Sequence, residues 1–183
     1  VVIGSDGSIA LRDADGGWHF WWRGEFHAHE SPDLRAEVIK LWVCYSNLHY
    51  LYKAPDGSFW TRKAHAVERR LDTPSVPAGE VITEYIVDED TLVLITEDSS
   101  KKKRLRHQTS VVGPADAITY VGIINDTPLA RFVNFNSGKE WVVWGDRQSR
   151  RVDDIFSLQS TESEIIFGAR IGRKLYRVTW SIR

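Results

Sequence analysis

The sequence predicts an all-β chain, a ring of five short antiparallel hairpin units in the manner of a five-bladed β-propeller, and three observations on its 183 residues lead there. First, short runs rich in Val, Ile, Thr, Tyr, Phe and Trp alternate with turns of Gly, Asp, Asn and Ser, which is the signal of strands. Second, the hairpin KAPDGSFWTRK (53–63), turning at Asp56-Gly57, has four relatives: ALRDADGGWHFWW (10–22), VLITEDSSKKKRLRH (93–107), RFVNFNSGKEWVVW (131–144) and IFGARIGRKLYRVTW (166–180). Third, the apolar runs that open the full units start at 37, 80, 117 and 154, a period of roughly 40 residues that fits propeller blades and not helical arrays.

Each unit reads as three strands in order. The first strands are VVIG (1), EVIKLWVCY (37), EVITEYIV (80), AITYVGII (117) and DIFSLQS (154). Second strands follow a polar turn: IALRDA, LHYLYKA, TLVLITED, LARFVNF and EIIFGARI. Third strands follow a second turn: WHFWW, SFWTRK, KKRLRH, EWVVW and KLYRVTW. The predicted hairpins therefore cover 9–22, 48–63, 92–107, 129–144 and 165–180. A polar outer strand is expected at AVERRL (66–71). Proline in the linkers SPDLRA, VPAG and GPAD suits connections and edges, because it cannot donate to a sheet ladder. SPDLRAEVIKLW also reads as a capped helix, with Leu34, Val38, Leu41 and Trp42 on one face. Its slot, shared with EVITEYIV and AITYVGII, decides for strand and leaves 31–36 for a helical turn. No helix longer than about three turns fits this period.

The reading is one domain, 1–183, in units of about 1–36, 37–79, 80–116, 117–153 and 154–183. The alternatives are part of a larger propeller or another closed antiparallel β fold; a trefoil barrel would need three units. Ring closure would remove most exposed sheet edges. The chain contains no Met, even at position 1, which suggests a processed or trimmed product. Hydrophobic content of 42% with 27% charge is ordinary for a soluble globular protein, and no apolar run is long enough to cross a bilayer. With 24 basic and 25 acidic residues, no strong whole-chain attraction for nucleic acid or a membrane is expected. Cys44 is the only cysteine, which excludes an internal disulfide. In unit number and hairpin layout the chain resembles the five-bladed lectins of the tachylectin type. Gly16-Gly17-Trp18 matches their GGW signature once, so the resemblance implies shared architecture and transfers no binding residues.

Eight tryptophans are the most unusual feature: Trp18, Trp21, Trp22, Trp42, Trp60, Trp141, Trp144 and Trp180. An indole offers a flat apolar platform with one N–H donor, suited to the face of a sugar ring, or equally to packing between blades. The expected ligand site sets Trp18, Trp60 and Trp141 at the starts of third strands beside Asp15, Asp56 and Asn136 from the preceding turns. EFHAHESPD (25–33) is the sharpest enzymatic signal. His27 and His29 share a side if the segment is extended, and with Glu30 or Asp33 could hold a divalent metal; a solvated loop is the plain alternative. His19, His49, His65 and His107 add no recognisable spacing, and no cofactor motif is present. Replacing both His27 and His29 by Ala is expected to change stability by no more than about 0.5 kcal/mol, read from a denaturation midpoint.

Glu37, Glu80, Asp116 and Asp154 at or beside first-strand starts could converge as glycosidase acids, or be solvated turn residues. The basic turn SSKKKRLRH (99–107) is flanked by Asp88, Glu89, Asp90, Glu97 and Asp98, which cancel much of its field; Arg147, Arg150 and Arg151 form a weaker basic loop. The leading functional reading is a non-enzymatic module that binds carbohydrate in aromatic clefts between blades. A protein-interaction scaffold is the runner-up, favoured by Lys101 to Arg104 replacing the aromatic start of the third unit's last strand. A metal-dependent hydrolase at His27 and His29 comes third.

Overall fold

In a computed structural model, which describes residues 1–4, 6–28, 36–44, 47–63, 68–88 and 90–182, every regular element is a strand. The strands form five small antiparallel sheets, each built from strands consecutive in the chain. The first is β1 (Val2–Ile3), β2 (Ile9–Arg12), β3 (Trp18–Trp22) and β4 (Glu25–Ala28); the second is β5 (Glu37–Cys44), β6 (Asn47–Lys53), β7 (Phe59–Lys63) and β8 (Arg69–Arg70). The third is β9 (Val81–Asp88), β10 (Thr91–Glu97), β11 (Lys103–His107) and β12 (Ser110–Ala115). The fourth is β13 (Ala117–Ile124), β14 (Thr127–Asn134), β15 (Lys139–Trp144) and β16 (Arg147–Gln148), and the fifth has three strands, β17 (Asp154–Ser160), β18 (Glu164–Ile171) and β19 (Lys174–Ser181). The segment EVIKLWVC, which could be read as helix or strand, is β5; residues 31–35 of the suggested helical turn lie outside the described residues.

The chain divides into two compact units, Val1–Thr73 and Pro74–Arg183. In the first, period-2 alternation builds the core. β3 buries Trp18, Phe20 and Trp22 on one face, and β6 sets Leu48, Tyr50 and Tyr52 against them. Phe20 stacks on Tyr50 with centroids 4.8 Å apart. Burial pushes the Tyr50 phenol up to about 12 and raises Tyr52 further, so both remain neutral packing residues.

In the second unit the fourth sheet is covered on both faces. Ala130, Phe132, Trp141 and Val143 face Val93, Ile95 and Leu105 of the third sheet. Leu129 and Val142, one residue out of phase, face Ile155, Ile165 and Phe167 of the fifth. A strand buried on both sides needs a near-continuous apolar run, which is what PLARFVN supplies around its one arginine. Each such large side chain contributes roughly 1.5–3 kcal/mol by leaving water.

The hairpin turns explain the recurring Asp-Gly. In 4–8, 13–17, 54–58 and 98–102 the first residue's N–H donates to the fifth residue's carbonyl, and the fourth residue's N–H returns to the first's carbonyl. The fourth position has positive φ, which Gly57 adopts at 85° without steric cost, while Lys101 holds it at 61° in the turn that lacks glycine. The strands β5, β9, β13 and β17 each carry a register shift near their start. Such bulges tighten twist at a strand that opens a sheet.

Candidate functional site

The residues expected to form aromatic clefts are placed as follows. Trp18 opens β3 opposite Arg12, is 6% exposed, and donates its indole N–H to the Ala36 carbonyl at 3.0 Å. The Arg12 guanidinium lies 5.8 Å from its ring centre. Asp15 is exposed in the adjoining turn, but the turn is organised by Asp13, whose Oδ1 accepts the N–H groups of Asp15 (3.0 Å) and Gly17 (2.7 Å). The His19 ring, 2.7 Å away, and then those backbone donors hold the Asp13 carboxyl below its usual range.

Trp60 and Asp56 do come together, through Ser58. The Trp60 indole N–H donates to Ser58 Oγ at 2.8 Å, while Asp56 Oδ1 accepts the Ser58 hydroxyl (2.5 Å) and N–H (2.9 Å). That hydroxyl, followed by the backbone, lowers the Asp56 carboxyl. The polar groups of this pair close the turn on itself. Trp141, 3% exposed, stacks on Phe132 at 5.4 Å and 13°. Asn136 is exposed in the turn before β15, separated from Trp141 by the start of the strand. The three indoles also differ in direction: Trp60 and Trp141 pack toward the preceding sheet, Trp18 toward the following one.

Three of the four strand-starting acids, Glu80, Asp116 and Asp154, have structural partners. Asp116 takes Lys102 of the third sheet on one oxygen and the Phe135 N–H of the fourth sheet on the other (2.9 Å). Asp153 does the same with Lys139 and the Gly172 N–H one sheet later. The separations are the same in both clasps, fourteen residues from Lys to Asp and nineteen from Asp to the amide. Lys102 and Lys139, as the leading cause, hold their carboxyls below the ordinary range. Glu80 accepts from Thr96 Oγ1 at 2.6 Å, and both its carboxylate oxygens accept from Arg106 Nη2 at 2.8 Å. Asp154 lies 3.9 Å from Arg131 and 4.0 Å from Arg170. Glu37 opens β5 and is exposed. Within the basic turn, Lys101 meets Glu97 at 3.0 Å and Arg104 meets Asp98 at 2.7 Å.

For the metal reading, Glu25–Ala28 is strand β4, with His27 opposite Phe20; the His27 side chain, His29, Glu30 and Asp33 lie outside the described residues. Among the described residues no three His, Cys, Asp or Glu side chains gather as a metal site.

One cleft between two sheets does collect polar groups around a tryptophan. It lies between β12 of the third sheet and the β15–β16 turn of the fourth, with a volume of ≈ 290 Å³. Trp141 and Val143 line it with Ser110 from one side and Asp146, Gln148 and Arg151 from the other. The Arg151 guanidinium sits 4.9 Å from the Trp141 ring centre, so the ring steadies the cation. A second cleft of ≈ 240 Å³, which takes in His107, Gln108 and Thr109, shares Ser110 and Asp146 with the first. Neither Asp146 nor Arg151 has an ion-pair partner among the described residues. Sequence reasoning flagged Arg151 only as part of a basic loop and passed over Asp146 and Gln148. The available signal was GDRQSRR directly after a Trp-containing third strand. No protein-family model matches the sequence, and no curated protein is similar to it.

Proposed function

We propose that the five sheets are blades of a five-bladed β-propeller, and that the chain is a non-enzymatic recognition module holding a carbohydrate in the cleft between its third and fourth sheets. Five consecutive meanders, a bulge near the start of four opening strands and the two identical Lys–Asp–amide clasps support the repeated-blade reading. The observation that carries the ligand reading is the gathering of Asp146, Gln148 and Arg151 beside Trp141. A sugar hydroxyl both donates and accepts: the carboxylate accepts a hydrogen bond from it, the guanidinium donates one to its oxygen, and the amide does either. The indole edge and Val143 exclude water on the apolar side. Two adjoining clefts give room for more than one ring.

The test is a glycan array followed by titration of the best binder. Asp146→Asn and Arg151→Ala, both at exposed positions, are expected to fold normally and each to weaken binding by about 2 kcal/mol, roughly thirtyfold. Full-strength binding by both variants to a glycan bound by the unaltered protein sinks this cleft as the site.

A further inference from the structure

β19 differs from every other last strand in the molecule. The first four sheets finish on β4, β8, β12 and β16, which are short, or in β12 carry Pro114. Such edges resist pairing with another chain. β19 has eight residues, all eight paired in register with β18 and without a shift. Among the described residues nothing pairs with its outer side. The edge contains no proline and no bulge, and its cations Lys174 and Arg177 repel a like-charged strand while favouring an acidic one.

The side chains along it have a definite chemistry. Leu175 is 69% and Tyr176 46% exposed, and they fall on opposite faces of the sheet. Next to them, Lys174 shares the Tyr176 face and Arg177 the Leu175 face, both exposed, and Arg173 precedes them in the turn. None of these three cations has a carboxylate partner among the described residues. On the Leu175 face Phe156 lies across Gly168 and is itself 40% exposed, extending the apolar strip inward. At the far end the Ser181 carbonyl is already taken by Arg147 at 2.9 Å, which limits the open ladder to the stretch before it.

We propose that β19 is a docking edge for an extended acidic segment of a partner protein, which adds as the fourth strand of the fifth sheet. Backbone hydrogen bonds to β19 give the register, apolar side chains on one face of the segment meet Leu175 or Tyr176, and carboxylates on its other face meet Lys174 or Arg177 respectively. The site is independent of the carbohydrate cleft, whose residues it does not use.

The probe is a labelled eight-residue peptide alternating Glu and Val, matched to the length of β19. Its counterpart with Lys in place of Glu and a version N-methylated at alternate residues are the controls. The Glu peptide is expected to bind, to lose affinity as salt rises, and to slow amide hydrogen exchange over 175–180. The Lys and N-methylated peptides should bind at least tenfold more weakly. The double variant Lys174→Glu, Arg177→Glu, at exposed positions, should lose the Glu peptide tenfold or more and gain the Lys peptide. Absence of Glu-peptide binding, protection elsewhere than β19, or binding unchanged in the charge-reversed variant overturns the proposal. A dimer of the unliganded protein that protects 175–180 overturns it too, since the edge would then belong to a second copy.

Discussion

Glu80→Ala is expected to lower the unfolding free energy by about 3 kcal/mol, measured by denaturant titration at neutral pH. Arg106 is 5% exposed, and its guanidinium has Glu80 on both side-chain oxygens, Thr96 Oγ1 at 3.1 Å and the Ser75 carbonyl at 3.1 Å. Removing Glu80 leaves a buried cation with two neutral acceptors and no counter-charge. The figure sits at the lower end of the range for broken buried pairs because those acceptors remain. The pH dependence follows from the direction of the shift. Burial alone would raise the Glu80 carboxyl, but the Thr96 and Arg106 hydrogen bonds outweigh it and hold it below 4.5. Its contribution is therefore present above pH 4.5 and is lost as pH falls through the depressed folded value. The variant should show a shallower acid limb below pH 4.5. Equal acid sensitivity in both proteins would mean that the pair carries little of the stability.

The hairpins were legible from apolar, β-branched runs joined by polar turns, and at 10–22 and 53–63 also from an Asp-Gly turn whose fourth position takes positive φ. Of the fourth strands only β8 was legible, its Arg69–Arg70 lying within the polar outer strand expected at 66–71. Arg147–Gln148 is a two-residue polar edge with no periodicity to read, and β12 contains Pro114. Glu25–Ala28 also reads as the start of a metal loop, because His27 within it and His29 just beyond it form an H-x-H pattern that masks its strand character. The strand-starting acids also read as catalytic acids, because their partners, Arg106 for Glu80 and Lys102 for Asp116, stand 26 and 14 residues away along the chain. The matched spacings from Lys102 to Asp116 and from Lys139 to Asp153 were present in the sequence and would have pointed to clasps. For the ligand site, identical residue types misled. Trp18 is the first residue after its turn and Trp60 the second after a turn of the same length, so strand parity sends the two indoles to different faces.

Trp18→Ala is expected to cost about 3–5 kcal/mol of stability, the largest effect of any tryptophan substitution in the Val1–Thr73 unit. Its ring is packed into the core with Phe20, Trp22 and Tyr52, and its N–H satisfies the buried Ala36 carbonyl 18 residues away. Truncation removes a large buried surface and leaves that acceptor without its donor. Trp18→Phe weights the two effects differently: it keeps the six-membered ring, loses the hydrogen bond and leaves only a small void, and should cost about 1–3 kcal/mol. Trp60→Ala, at a half-buried position whose indole N–H is bonded within its own turn, should cost less than Trp18→Ala. The order of the three midpoints in a denaturant series checks the argument. It matters for function, because a sugar platform and a packing residue give opposite results. A Trp18→Ala protein that keeps its unfolding midpoint but loses glycan binding would restore the aromatic cleft at the first hairpin. The expected result is the reverse, a shifted midpoint with the cleft around Asp146 and Arg151 still competent under conditions where the variant is folded.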